Sequence, residues 1–224
     1  MSSATPPPSV FDGIAGVIAV LVLLAEFGML HAALLFLQLR LYAAQSFLLS
    51  VLAGVAAYAK HVPELYALAV LSCALKVFAV PATIRRLVGQ PSQEIAGSGV
   101  LGVGTRTLLG LAVTAVGFFA AKAWHIHGTF LPSTALSLSV SVLLVSFVLM
   151  IVRRDVVSQA VGLFSLENAV SLASLVVAAA MPLLLEVAFL FDLLVAVVVF
   201  GVLIRTHQLR RRSFLTTDLT ELRG

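Results

Sequence analysis

The sequence predicts an all-α integral membrane protein with seven transmembrane helices. Hydrophobic residues occupy 61% of the 224 positions and charged residues only 11%, less than half the share of about 25% in soluble domains. The apolar residues also fall into seven runs of about 20, the length that an α-helix needs to cross a bilayer. The basic residues lie in short runs between these segments, which is typical of topology signals. We therefore expect a lipid bilayer as a partner and no nucleic acid.

The predicted helices follow these runs in order, and each break between them contains a charged residue, a glycine or a proline. Residues 1–12 precede the first helix and contain neither a basic stretch nor a small-residue cleavage site, so they are expected to form a disordered leader of the mature protein. The seven helices are expected at 13–37, 42–59, 63–84, 106–123, 132–152, 156–178 and 183–204.

Lys and Arg residues are distributed unequally between the two sides of the predicted bundle. The side that holds the N-terminus has two, Lys60 and Lys122, and the opposite side has eleven. Because cytoplasmic loops are enriched in Lys and Arg, we expect a multi-pass protein of the inner (cytoplasmic) membrane, with the N-terminus outside and the tail at 207–224 in the cytoplasm. The eleven are Arg40, Arg85, Arg86, Arg106, Arg153, Arg154, Arg205, Arg210, Arg211, Arg212 and Arg223.

The chain also shows a weak internal repeat. The segments RLYAAQS and RDVVSQA place Gln45 five residues after Arg40, and Gln159 five residues after Arg154. We interpret helices 1–3 and 5–7 as two copies of a three-helix unit in the same orientation, joined by helix 4; chance similarity between apolar segments is the alternative. The predicted parts are a first repeat at 13–87, a loop and linker helix at 88–131, and a second repeat at 132–206.

Four ionisable side chains fall near the middle of predicted helices: Glu26, Lys76, Glu167 and Asp192. A charge at a helix centre costs roughly 2.5–3.5 kcal/mol on insertion scales. These groups are therefore expected to face the bundle interior, to pair, or to line a hydrated path.

A polar stripe follows predicted helix 6, from Gln159 through Glu167 and Ser171 to Ser174. Asn168 is expected to orient Glu167 or a water molecule. For the serines alone, packing between helices is the favoured role. For the charged residues we favour a proton relay, whose predicted members are Glu167, Asp192, Lys76, Glu26, Asn168 and Gln159.

The sequence contains none of the motifs that carry catalysis or cofactors. Its single cysteine, Cys73, excludes a disulfide within the chain and a cysteine-held iron–sulfur cluster. A phosphate loop, a nucleophile elbow and an HExxH pattern are all absent. His125 and His127 resemble a metal pair but have no nearby acid or cysteine to complete a site. We expect no catalytic residues, cofactor or metal.

Four stretches carry a resemblance to a known family: YAAQSFLLSVL in helix 2, ALKVFAVPATIRRL in helix 3, LFSLENAVSLASL in helix 6 and FDLLVAVVV in helix 7. The chain resembles hydrogenase-4 component E, a membrane subunit of energy-converting [NiFe]-hydrogenase and formate hydrogenlyase complexes. Residues 162–172 are also similar to the second helix of the small three-helix subunit of complex I and of the C subunit of Mrp-type cation/proton antiporters. The resemblance covers nearly the whole chain except the leader and the loop between helices 3 and 4.

The resemblance implies a place in a membrane arm beside antiporter-like subunits and a [NiFe]-hydrogenase-type module. In the complex I relative, acids in helices 2 and 3 carry protons. Asp192 matches the second of these acids, whereas the first falls on Phe164, with Glu167 three residues further on. In the first repeat, the position equivalent to Glu167 is Ala53, and helix 3 has Lys76 in place of an acid.

The function expected from these features is that of a non-catalytic subunit of a hydrogenase-4-like or respiratory oxidoreductase complex that contributes to proton translocation. One alternative is a subunit of a cation/proton antiporter or a stand-alone small transporter. Another is a purely structural spacer in which the charges are fixed ion pairs.

Overall fold

The computed structural model describes residues 10–88, 101–123, 131–177, 197–198 and 201. Within these ranges, six helices are long and apolar enough to cross a membrane, and they correspond to the first six predicted helices. The predicted seventh helix, at 183–204, lies outside the described residues apart from 197–198 and 201. The six spans are Val10–His31, Leu35–Lys60, Glu64–Arg86, Val103–Ala123, Ser133–Val152 and Val156–Val177.

Five of these spans are single α-helices, and the third is divided into three parts. The single helices are α1 (Val10–His31), α2 (Leu35–Lys60), α5 (Val103–Ala123), α6 (Ser133–Val152) and α7 (Val156–Val177). The divided span consists of α3 (Glu64–Ser72), a π-helical segment (Cys73–Ala79) and α4 (Val80–Val88).

The turn between α1 and α2 corrects one predicted boundary. We expected the break at Arg40, but α1 ends at His31, Leu34 has extended backbone angles (φ −110°, ψ 131°) and Arg40 lies inside α2. The turn can consist of apolar residues, since the backbone carbonyls that have no partner within α1 accept hydrogen bonds from side chains of other segments. Gln38 Nε2 donates to the Met29 carbonyl at 3.2 Å, and Arg153 supplies two further donors that are described below.

The turn between α2 and α3 lies where the sequence predicts it. α2 ends at Lys60, and His61 takes a left-handed conformation (φ 55°) that directs its N–H to the Ala57 carbonyl. Pro63 then precedes the first residue of α3, Glu64. This left-handed residue stops the helix as a C-terminal cap does, and Pro63 fixes the backbone direction at the entry to the next helix.

Four helices form the centre of the described bundle. α1 packs against α2 and α6, and α7 packs against α6 and α2. The divided span lies against α2, and α5 lies mainly against α6. A close approach of α5 to α6 occurs at Gly117, where a Cβ would lie 2.9 Å from the Ser141 backbone. Small residues permit this kind of backbone proximity between membrane helices.

The buried core consists of two apolar clusters with polar side chains between them. One cluster includes Val22, Leu49, Val142 and Leu172. The other includes Met29, Tyr42, Leu149 and Phe164. On each of the four central helices, a buried polar residue lies in sequence between the two clusters: Glu26, Gln45, Ser146 and Ser165. The core therefore contains one polar layer between two apolar layers.

Among the described residues, Arg85 and Arg153 lie at the same end of the bundle. Arg85 lies beside Leu35 and Val157, at the starts of α2 and α7, and Arg153 reaches the end of α1. At the opposite end, Lys60 lies over the Phe11 ring at 5.4 Å. The predicted topology depends on an unequal number of basic residues at the two ends, and these three residues lie at the ends where it puts them.

The two halves of the chain meet at a constant sequence offset. Three hydrogen bonds join residues separated by 120 positions: Ser146 to Glu26, Ser158 to Gln38 and Ser165 to Gln45. Equal offsets on α1–α6 and α2–α7 mean that these helix pairs run in parallel with matching depth.

Candidate functional site

The polar layer contains two neighbouring groups of side chains. The first, which we call the Glu26 cluster, consists of Glu26, Gln45, Ser146, Ser165 and Asn168, all fully buried. The second, the Lys76 pair, consists of Lys76 and Glu167. The groups adjoin because Glu167 and Asn168 are consecutive residues of α7.

Glu26 is held by hydrogen bonds from three other helices. Gln45 Nε2 on α2 donates to Glu26 Oε2 at 3.0 Å. Ser146 Oγ on α6 contacts Glu26 Oε1 at 3.0 Å, and Ser165 Oγ on α7 contacts Glu26 Oε2. Hydrogen bonds to a carboxylate stabilise it in place of water. The cluster therefore fixes the relative positions of all four central helices.

Gln45 connects the parts of this cluster. Its amide nitrogen donates to Glu26 and, at 3.3 Å, to the Val22 carbonyl. Its carbonyl oxygen lies 3.0 Å from both Ser165 Oγ and Asn168 Nδ2. The side chain thus uses both amide hydrogens and its oxygen inside the membrane, which is the arrangement that a buried amide requires.

Asn168 belongs to the Glu26 cluster and contacts α2. Its amide nitrogen donates to Gln45 Oε1 at 3.0 Å and to Ser46 Oγ at 2.9 Å, both on α2. Consecutive helix residues point about 100° apart, so Asn168 and Glu167 face different neighbours. Asn168 therefore links α7 to α2, and its predicted role of orienting Glu167 or a water molecule stays a prediction.

Glu167 is the partner of Lys76. Lys76 Nζ lies 3.0 Å from Glu167 Oε1, and the two side chains are 1% and 12% exposed. Lys76 Nζ also donates to Ser171 Oγ at 3.1 Å, one turn further along α7. The pair joins the divided span to α7 and balances the charge of both residues at membrane depth.

Lys76 lies in the middle of the π-helical segment. The Val80 N–H bonds to the Leu75 carbonyl, five residues back, as a π-helix requires. Pro81 follows directly and supplies no backbone N–H, so the regular ladder is interrupted at this point. Thr83 Oγ donates to the Ala79 carbonyl at 2.8 Å, four residues back along the same helix. A π-helical turn at a buried lysine is typical of functional positions.

A small cavity adjoins Lys76 on the side away from the Arg-rich end. Ser50, Ser72 and Ser171 contribute its polar lining, and leucines and an alanine contribute the rest. Ser72 precedes Lys76 by one helical turn, and Ser171 bonds to Lys76 directly. Three hydroxyls beside a cationic side chain provide the partners that a water molecule needs.

Arg153 closes the Arg-rich end of the core. It is 3% exposed, and its guanidinium donates to the Leu30 and Ala32 carbonyls at 3.1 and 2.5 Å. Burial lowers its pKa, as does the nearby Arg106, but arginine remains charged at neutral pH. Sequence reasoning counted Arg153 only as a topology signal, whereas it caps the end of α1.

The predicted site residues are thus only partly assembled in one place. Glu26 and Asn168 lie in the Glu26 cluster, and Lys76 pairs with Glu167. Gln159 lies near the start of α7, where its amide donates to the Arg153 carbonyl at 3.1 Å, away from the other members. Asp192 lies outside the described residues.

Sequence reasoning missed the three neutral partners of Glu26, namely Gln45, Ser146 and Ser165. The spacing of polar residues along α2 and α7 could have indicated two of them. Gln38 and Gln45 are seven residues apart on α2, and Ser158 and Ser165 are seven apart on α7. A seven-residue interval places side chains on one helix face, so each pair predicts a polar row along an otherwise apolar helix.

Comparison with known proteins gives one partial similarity. Over 83 residues, the chain is 39% identical to uncharacterized protein Rv0085 of Mycobacterium tuberculosis. The match covers 37% of this chain and 36% of that protein, so the chain spans about a third of the relative's length. No protein-family model matches the chain, and no solved structure matches it.

Proposed function

We propose that the chain is a non-catalytic membrane-arm subunit of a hydrogenase-4-like or respiratory oxidoreductase complex, and that it contributes to proton translocation through its buried ionisable residues. The observation that carries the proposal is the Lys76 pair at 3.0 Å, directly beside the Glu26 cluster on α7. Buried ionisable residues in membrane helices are expensive and characteristically mark ion or proton pathways.

The geometry supports a relay in which the Lys76 pair accepts one proton, on Glu167, and releases another, from Lys76. A proton that arrives on Glu167 removes the negative charge opposite Lys76, so the attraction that holds the ammonium at 3.0 Å is lost. The Lys76 proton can then pass to Ser171 or to water in the adjoining cavity. Glu26 and Asp192 are the other proposed acids of the relay, although Asp192 lies outside the described residues, and Gln159 is proposed as a further member near the start of α7.

The outer surface of the bundle is suited to lipid or to neighbouring membrane subunits. Only 11% of the apolar stretch of α5 is buried inside the bundle. Large apolar residues such as Leu108 and Phe119 are exposed on this helix. Antiporter-like subunits are the proposed neighbours. The proposed location is the cytoplasmic membrane, with the N-terminus outside and the Arg-rich end of the bundle towards the cytoplasm.

The alternative is a subunit of a cation/proton antiporter or a stand-alone small transporter. The parallel pairing of α1 with α6 and of α2 with α7 at an offset of 120 residues favours it, because transporters with parallel repeats place their ion sites at the repeat interface. In the proposed repeat, Glu26 lies between the two copies, where Ser146 of α6 contacts it.

Affinity purification of the tagged chain in mild detergent, followed by mass spectrometry, distinguishes these functions. Co-purification of antiporter-like subunits with a [NiFe]-type large subunit and iron–sulfur proteins is the expected result. Antiporter-like subunits without a redox protein, or recovery of the chain alone with ion uptake in vesicles, would contradict the oxidoreductase assignment and favour the transporter.

A further inference from the structure

Glu26 differs from Glu167 in having only neutral hydrogen-bond partners within the described part of the chain. These partners are the Gln45 amide and the Ser146 and Ser165 hydroxyls. Glu167, in contrast, is balanced by Lys76. A lone carboxylate is costly inside a membrane. An ionised Glu26 therefore needs a positive charge that the described side chains do not provide, either a proton on the carboxyl itself or a bound cation.

The hydrogen bonds around Glu26 also lack one hydrogen. The single hydroxyl hydrogen of Ser165 faces both Glu26 Oε2 and, at 3.0 Å, Gln45 Oε1. It can serve only one of them, and both amide hydrogens of Gln45 are directed to Glu26 and to Val22. Two contacts between oxygen atoms therefore share one hydrogen. A proton on the Glu26 carboxyl, or a bound cation, would remove this shortage.

Hydrogens are also too few at the other carboxylate oxygen of Glu26, which Ser146 contacts. Its hydroxyl lies 3.0 Å from Glu26 Oε1 and 3.0 Å from the Val142 carbonyl, and it has one hydrogen for both. In addition, the Asn168 carbonyl oxygen is fully buried and has no hydrogen-bond donor among the described residues. The cluster thus contains more oxygen acceptors than hydrogens.

The chemistry of these ligands restricts which cation fits. All the available ligand atoms are oxygens of a carboxylate, an amide and hydroxyls, which are the ligands of hard cations. One carboxylate balances one positive charge, so a monovalent ion leaves the site neutral within the membrane. The described residues contain no group of three His, Cys, Asp or Glu side chains that could hold a metal ion of higher charge.

We propose that the Glu26 cluster is a binding site for one monovalent cation, at which Na⁺ and H⁺ compete. Na⁺ would be coordinated by oxygens of Glu26, Ser165 and Gln45, and H⁺ would occupy the carboxylate itself and supply the missing hydrogen. A role of this site in transport rests on the proposed function. The binding does not require a redox partner, so it can be tested on the purified chain.

Two measurements on the full chain in detergent test the proposal. The first is the rate at which a hydrophobic carbodiimide, which modifies protonated carboxyl groups, labels Glu26, measured by mass spectrometry in NaCl and in choline chloride of equal ionic strength. Na⁺ at ten times its dissociation constant should slow labelling about tenfold, because the free fraction falls by that factor. It should also move the pH profile of labelling to lower pH. The second measurement is the thermal unfolding midpoint, which Na⁺ should raise above its value in choline.

Matched serine variants separate a coordinating role from a structural one. Ser165→Ala removes one proposed ligand and should weaken Na⁺ protection while Glu26 labelling remains pH-dependent. Ser139→Ala removes an equally buried hydroxyl, whose hydrogen goes to the Leu136 carbonyl, and should respond to Na⁺ as the unmodified chain does. Glu26→Gln should abolish both labelling at this position and stabilisation by Na⁺.

The possible outcomes give distinct answers. Na⁺-specific protection, or Na⁺-specific stabilisation that Ser165→Ala weakens, supports the site. Labelling that depends on pH but is identical in Na⁺ and choline shows a proton-only site and overturns the proposal, as does the absence of both labelling and Na⁺-specific stabilisation. If the purified chain binds Na⁺ but no redox partner co-purifies from cells, the site stands and the oxidoreductase assignment fails.

Discussion

Removing one member of the Lys76 pair is expected to destabilise the bundle far more than removing both. At 3.0 Å, two unit charges attract each other by about 5 kcal/mol at an effective dielectric of ~20. Lys76→Met or Glu167→Leu removes this attraction and leaves an isolated charge among buried helices. Breaking a buried pair in this way costs about 3–5 kcal/mol, whereas replacing both partners with apolar residues is often close to neutral.

The assay is a double-mutant cycle on the purified chain, using reversible unfolding in mixed detergent. We expect each single variant to lower the free energy of unfolding by about 3 kcal/mol or more, and the double variant by about 1 kcal/mol. Lys122→Met and Glu64→Gln alter exposed charges at helix ends and should change it by less than about 0.5 kcal/mol. Single effects that simply add within about 0.5 kcal/mol would show that the two residues are not paired.

Two further substitutions test the packing around the site, with the thermal unfolding midpoint as the measurement. Arg153→Met should cost about 3 kcal/mol, because two buried carbonyls at the end of α1 lose a charged donor; the exposed neighbour variant Arg154→Met should change little, and an equal loss there would contradict this. Gly117→Ala should cost about 1–3 kcal/mol because a Cβ meets the α6 backbone at 2.9 Å. Gly16→Ala has nothing within 4 Å and should be neutral or stabilising; an equal response at both glycines would refute the close contact between α5 and α6.

The positions of the membrane helices could be predicted because length and hydropathy determine them. The second to fifth breaks needed only charge, proline and glycine. The first break could not be found in this way, because the turn before Leu35 is apolar and its carbonyls are bonded by Gln38 and Arg153. Arg153 comes from more than 120 residues away, and no local pattern reveals that distant donor.

The burial of the site residues could be predicted from the cost of charge in a membrane, but their pairing could not. Lys76, which faces Glu167, lies in a π-helical segment whose course no local sequence pattern predicted. The neutral partners of Glu26 are ordinary serines and a glutamine, whose roles depend on the register between helices. That register, an offset of 120 residues, follows from packing between helices.

The most direct test of a proton-handling role for the Lys76 pair is the proton-to-electron ratio of inverted membrane vesicles driven by the proposed redox complex. Glu167→Gln should abolish coupled proton uptake while dye-linked hydrogen oxidation continues, since the electron-transfer groups lie on other subunits. Glu64→Gln, an exposed acid at the start of α3, should retain full coupling. Unchanged coupling in Glu167→Gln, or full coupling in the Lys76→Met/Glu167→Leu double variant, would contradict this role and leave the pair as a structural link between α7 and the divided span.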